Sequence, residues 1–129
     1  MIVDSSALVA VIKREKDWIS LSQVMDNAAD LSISAASYFE TAIVVDGLRD
    51  PVQSARLDEL LLDMEMIVEP VTAEQARIAR QAYRDYGKGS GHKAGLNFGD
   101  CFSYALARVK REPLLYKGDD FVYTDVRSA

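Results

Sequence analysis

A single cysteine and a single histidine are all that the 129 residues offer for soft-metal or imidazole chemistry. One Cys makes no internal disulfide and no Cys-rich zinc or iron–sulfur site, so Cys101 suits a reducing compartment. One His leaves no His-based zinc hydrolase and weakens any Ser-His-Asp scheme. No apolar run reaches the roughly 18 residues of a membrane span. The start, Met1-Ile2-Val3-Asp4, lacks the basic and apolar regions of a signal peptide. The expectation is a soluble, cytoplasmic protein with no membrane partner. Repeats, low-complexity tracts and linkers are missing too, so residues 1–129 read as one domain. A chain of this size buries about two-thirds of its unfolded surface and needs no metal or disulfide staple to fold. Bases are also scarce, 15 against 20 acids, a net charge of −5. That balance argues against a phosphate-binding protein unless some of the acids are not free surface charges.

What is present is an alternation of short apolar runs and helical periodicities. Met1 to Asp4 is an apolar run stopped by an acid, and Ala7 to Ile12, apolar on every side, predict a buried helix starting near Ser5-Ser6. Trp18, Leu21, Met25 and Ala28 recur at helical spacing. Asp30 to Ser34 alternate as a strand does, and Ala35 to Val45 predict a helix. Asp50-Pro51 is a helix start, with Val52 to Met64 following it. Met66 to Glu69 form a third strand candidate closed by Pro70. Thr72-x-x-Gln75 is a capping box for a helix with Ala76, Ala79, Ala82, Tyr83 and Tyr86 on its apolar face. Asn97-x-x-Asp100 opens another helix to about Arg111; Leu114 to Tyr116 predict a fourth strand and Phe121 to Val126 an edge strand. Strands alternating with helices imply parallel βαβ units, and hence an α/β fold: a three-layer α/β/α sandwich around a mostly parallel sheet.

In such a sheet the carboxyl ends of the strands and the N-termini of the following helices share one edge, where ligands bind. Asp4 ends the first strand. Glu40 lies on the helix after the second, Asp100 in the first turn of the helix leading into the fourth, and Asp119 just after that strand. Taken singly, Asp4 reads equally as an N-cap, Asp100 as a capping-box residue, and Asp119 and Asp120 as turn residues after Gly118. Glu40 is different. Its helical neighbours Ala36, Ile43, Val44 and Gly47 are apolar or small, with Ser37 the only polar one, which predicts a carboxylate on a buried face, and no Lys or Arg occurs on its helix before Arg49. Several carboxylates on one rim repel unless a hard cation sits between them, and oxygen donors of this kind suit Mg²⁺ or Mn²⁺. That is the setting for metal-assisted phosphodiester hydrolysis. Setting the four acids aside leaves 16 against 15 bases, which removes the charge objection.

The bases cluster. Lys13, Arg14 and Lys16 follow the first helix, and Arg84, Lys88, His92 and Lys93 flank a loop rich in glycine. That loop covers a nucleic-acid backbone or is merely a mobile connection; the sequence supports both. Lys13, Arg14, Lys88, His92 and Lys93 are the candidate substrate-binding residues. Gly89-Ser90-Gly91-His92-Lys93-Ala94 matches a dinucleotide fingerprint by letter but follows a helix rather than a strand. No Walker A run is present, and Asp4-Ser5-Ser6 lacks the second acid of a D-x-D nucleophile pair. Cys101, in an apolar helix beside an acid, reads as core. Tyr83, Tyr86, Phe98, Phe102 and Tyr104 read as core or interface rather than as base-stacking platforms.

Four segments taken together carry a resemblance. Met1-Ile2-Val3-Asp4-Ser5-Ser6-Ala7-Leu8, the acid Glu40, the run Leu96 to Ala107 around Asn97-Phe98-Gly99-Asp100, and Leu114 to Phe121 around Gly118-Asp119-Asp120 resemble PIN-domain ribonucleases, above all the VapC-type toxins of bacterial toxin–antitoxin pairs. The resemblance implies a PIN fold and a Mg²⁺- or Mn²⁺-dependent endoribonuclease. Asp4 and Asp100 would be the principal metal ligands, with Glu40 completing the cluster directly or through water and Ser6 supporting it through its hydroxyl. The fourth acid would be Asp119 or Asp120, with Asp119 favoured. Such toxins are homodimers that cut structured RNA, commonly tRNA or rRNA, and a VapB-type antitoxin inserts its tail, often with an Arg, into the acidic groove. Two other classes fit parts of the pattern: a catalytically silent PIN-fold module that binds a partner peptide, and a phosphoacceptor domain using Lys117. The first would lack an acid, and none is missing; the second needs an early acidic pair, which is absent.

Overall fold

Ile2 and Val3, the whole of strand β1, send one side chain to each face of a sheet, and that alternation divides the protein into two cores. The structure is a computed structural model that describes all 129 residues. After β1 (Ile2–Val3) come α1 (Ser5–Ile12), α2 (Trp18–Asp26), β2 (Ser32–Ser34), α3 (Ala35–Asp46), α4 (Pro51–Asp63), β3 (Ile67–Glu69), α5 (Ala73–Tyr86), α6 (Phe98–Lys110) and β4 (Leu114–Leu115). The strands run parallel in the order β3-β2-β1-β4, with Ile2 opposite both Ser32 and Leu114. Ile2 and Leu114 join Leu96, Tyr104, Leu106 and Phe121 beneath α5 and α6. Val3, Ile33 and Leu115 join Leu8, Leu21 and Met25 beneath α1 and α2. The result is the expected α/β/α sandwich, with a smaller cluster of Ile12, Val45 and Leu57 tying α1, α3 and α4 together. No helix is long and apolar enough to cross a membrane.

Helix starts sit where the capping chemistry puts them. Asp4 accepts from Ser6 N, Ser34 from Ala36 N and Asp50 from Val52 N, each satisfying a donor the helix itself leaves open. On α6 the capping box is complete: Asn97 accepts from Asp100 N while Asp100 accepts from Asn97 N. On α5 it is half made. Thr72 accepts from Gln75 N, but the Gln75 amide donates to Pro70 O instead of reaching back to the cap.

Two expectations fail. Phe121 to Val126 form no strand: Val122 N bonds to Asp119 O and Thr124 N to Phe121 O, so the segment coils through turns. The pairing beside β4 comes later, where Leu114 N donates to Arg127 O and Ala129 N to Leu114 O. The other concerns α3. Its apolar residues Ile43 and Val44 are exposed, together with Phe39, so the strip flanking Glu40 is not a core face. Helical periodicity reports an apolar strip but not what covers it.

Candidate active site

Because α6 leads into β4 and runs against it, its first turn lies at the same sheet edge as the carboxyl end of β1. Asp4 and Asp100 therefore meet, both buried at 2% and 8% exposure. Asp4 is held twice. Oδ2 accepts from Ser6 N at 2.9 Å, and Oδ1 accepts from the Ser103 hydroxyl at 2.6 Å. Ser103 in turn shares a hydrogen bond of 3.0 Å with the fully buried Ser37 of α3. Asp4 is thus cap and site residue at once. Asp100 Oδ2 accepts from Asn97 N at 3.0 Å.

Glu40 arrives from α3, half-buried, with Oε1 accepting from the Ser5 hydroxyl. Its other oxygen lies against α6 at Gly99, where a Cβ would come within 2.0 Å of Glu40 Oε2. Only glycine leaves room for the carboxylate to lie so close to α6.

The carboxyl group of Asp100 is pushed up from 3.8 to about 7. Burial is the main cause; the Asn97 N–H opposes it, and the charges of Asp4, Asp120 and Glu40 add to it. The four acids therefore share one electrostatic neighbourhood. Of the two acids in the 118–120 turn it is Asp120, not the favoured Asp119, whose charge acts on Asp100. Asp119 and Asp120 are both exposed, and Asp119 gives its backbone carbonyl to Val122 N.

Nothing cationic compensates these acids. The five ion pairs of the molecule join the N-terminus to Glu112, Lys13 to Glu15, Arg108 to Asp125, Lys110 to Glu69 and Lys117 to Glu15. Lys117 is thereby turned away to Glu15, 2.7 Å distant, which removes the phosphoacceptor arrangement. The donor set is hard oxygen only, the chemistry Mg²⁺ and Mn²⁺ take. No three acid, His or Cys side chains gather tightly enough to cage an ion. An ion held here would rest on one or two carboxylates, with water in its remaining positions.

The remaining candidates separate. Ser6 keeps its hydroxyl off the acids and accepts from Lys117 N at 3.0 Å, anchoring the turn that carries Asp120. Lys13 and Arg14 stand at the far end of α1, about 13 Å from Asp4 by helical rise, so they lie outside the site. Arg14 packs over Trp18. His92 is tied inside its loop: Nδ1 accepts from Ala94 N at 3.1 Å, and the ring meets Tyr86 edge-on. Lys93 lies over the Tyr123 ring. Lys88 faces a groove between α5 and α6, as does Arg84, whereas His92 and Lys93 do not. Cys101 is core, its thiol pushed up to about 11 by burial and by Asp100. Ser5, Ser103 and Gly99 lie within the motif segments, but sequence reasoning gave them no role, and their contacts with Glu40 and Asp4 are set by packing.

The PIN domain family model matches residues 1–126. The chain is also 57% identical to ribonuclease VapC28 of Mycobacterium tuberculosis, across 100% of this chain and 97% of that protein. The chain belongs to the PIN-domain family, among its VapC members. The fold agrees. The crystal structure of Mycobacterium tuberculosis VapC20, described as a sarcin–ricin loop-cleaving toxin, superposes with a TM-score of 0.77 at 18% identity, covering 99% of this chain and 97% of that one. A toxin–antitoxin complex from Klebsiella pneumoniae follows at a TM-score of 0.71 and 15% identity, covering 96% and 92%. A PIN-domain VapC protein is therefore what the four acids on the sheet edge belong to.

Proposed function

We propose that this chain is a metal-dependent endoribonuclease toxin that cleaves structured RNA such as tRNA or rRNA and is neutralised by a VapB-type antitoxin. The observation that carries the reading is the uncompensated acidic rim, Asp4 and Asp100 buried with Glu40 and Asp120 in electrostatic reach. The ribonuclease name of the relative at 57% identity supports RNA as substrate, and the Klebsiella complex supports an antitoxin.

Asp4 and Asp100 would hold Mg²⁺ or Mn²⁺, with Glu40 completing the site directly or through water and Asp120 at its open edge. When bound, the ion makes a water nucleophilic at neutral pH and offsets charge on the attacked phosphate. The chain supplies the fixed geometry. Ser103 and Ser6 N hold Asp4 from two sides, so its carboxylate does not rotate away from the rim. Asn97 N fixes Asp100, and the Ser5 hydroxyl holds one oxygen of Glu40. Glu40, half-buried beside these acids, would take the proton of the attacking water. Hydrolysis of this kind leaves a 3′-hydroxyl and a 5′-phosphate.

The test is cleavage of a tRNA and rRNA mixture by the purified protein, with 5′ ends mapped. Cleavage should stop with EDTA and return with Mn²⁺ or Mg²⁺. Asp4→Asn and Asp100→Asn should abolish it while circular dichroism shows the fold retained. Full activity in either variant, or indifference to EDTA, overturns the assignment.

A further inference from the structure

A groove of about 830 Å³ runs between α5 and α6, and its walls differ sharply from the rest of this acidic protein. One side carries Arg80 and Arg84 at successive turns of α5 and then Lys88, a line of cations at four-residue spacing. All three are exposed, and none is in any of the molecule's ion pairs. The acid beside them, Asp85, is engaged by the Gln81 amide at 3.0 Å. The other side is aromatic. Phe98 is 79% exposed and stacks edge-on against Phe102, their centroids 4.8 Å apart, while Tyr83 stands across from them with its hydroxyl donating to Lys88 O. Of the rings read as core or interface, Tyr104 is core, whereas Phe98 and Tyr83 are open to solvent. As the first residue of α6, Phe98 projects beyond the packed turns.

A large aromatic left open to water beside unpaired cations suits a ligand with flat apolar faces and negative charges at regular intervals. We propose that this groove binds an unpaired stretch of the RNA substrate next to the scissile phosphate, a base stacking on Phe98 while the backbone follows Arg80, Arg84 and Lys88. Three unpaired cations at regular spacing match the evenly spaced phosphates of a nucleic-acid backbone, which selects RNA over a second copy of this chain. The groove and the acidic rim flank the same turn of α6: Asn97, Phe98 and Cys101 line one side, while Asp100 and Ser103 face the other. A strand that passes over the N-terminus of α6 crosses about 10–12 Å, the width of a helix, to join them. The inference rests on the ribonuclease reading and adds where the single-stranded portion of the substrate lies.

The test uses the full chain, a fluorescein-labelled oligoribonucleotide without secondary structure, and EDTA, so that binding is read without cleavage or metal. Anisotropy titrations across a salt series should show the triple variant Arg80→Gln/Arg84→Gln/Lys88→Gln binding more weakly, with its salt slope reduced by about 2, since each single-strand phosphate contact contributes about 0.7. Phe98→Ala should weaken binding about tenfold with the slope unchanged, and Phe98→Trp should restore it. Lys13→Gln/Arg14→Gln, at the far end of α1, should bind as the parent does. Unchanged affinity and slope in both groove variants overturns the proposal. So does a shift of oligomeric state or a selective loss of antitoxin binding, which would give the groove to a second copy or to the antitoxin. Cleavage with Mn²⁺ separates the two readings: a parent chain that cuts RNA while the groove variants cut equally well at limiting RNA refutes the groove alone, and a parent chain that neither binds nor cuts refutes the ribonuclease.

Discussion

An alanine at position 99 would place its methyl group where Glu40 Oε2 now lies, and the flexible end of a glutamate yields more readily than a helix backbone. Alanine also favours a helix over glycine by up to about 1 kcal/mol. Gly99→Ala should therefore fold at least as stably as the parent, yet lose about 10- to 100-fold in RNA cleavage because Glu40 is displaced. Thermal melts and cleavage rates on the same preparation check this. A second prediction concerns Asp100, whose carboxyl group is raised to about 7. Between about pH 4 and pH 7 the folded chain keeps a proton there that the unfolded chain has released, so this residue makes stability fall as pH rises through that window. In EDTA, Asp100→Asn should raise the melting temperature by several degrees at about pH 8 and by nothing below about pH 4; a constant difference across that range would refute the assignment. The acids were legible because a parallel sheet gathers strand ends. Their supports were not: Ser103 reaches Asp4 across 99 positions and Ser5 reaches Glu40 across 35, contacts set by helix packing rather than by any local pattern.

At the scale of elements, reading succeeded where local chemistry decides and failed where tertiary pairing does. Asp50-Pro51 and Asn97-x-x-Asp100 fix helix starts through bonds made within four residues, so both were legible. Phe121 to Val126 has the composition of a strand, but its neighbour β4 is paired by residues 127–129 instead, and turn bonds from Asp119 and Phe121 take its backbone. The cap of α5 gives a clean test of this local level. Thr72 supplies one hydrogen bond, of 3.1 Å to Gln75 N, and stands apart from the acidic rim. Thr72→Ala should cost about 1 kcal/mol of stability, seen as a drop of a few degrees in melting temperature, and leave cleavage rate unchanged. An equal loss of activity would mean that α5 couples to the site more tightly than its packing shows.

For the molecule as a whole, the net charge of −5 says little about what it binds, because charge is sorted by place: acids on the rim, cations along α5. Apolar surface is sorted as well. Phe39 and Ile43 on α3 are 65% and 58% exposed, and Val44 and Leu48 beside them are exposed as well. Apolar residues gathered this way mark a partner surface more often than idle exposure. Because α3 also carries Glu40, whatever covers this strip sits next to the acidic rim, and a symmetric homodimer would bring two rims towards one another across it. Sedimentation of the parent chain should then give a homodimer, and Ile43→Asp should give a monomer with an unchanged melting temperature when measured at a concentration where the parent also dissociates. A charge there costs the isolated fold little, since Ile43 contributes to no core, but it costs an interface several-fold in affinity at the least. Ile43→Asp that still sediments as a dimer would move the interface off α3; a parent chain that sediments as a monomer would assign the strip to the antitoxin, and Ile43→Asp should then lose antitoxin binding while RNA cleavage persists.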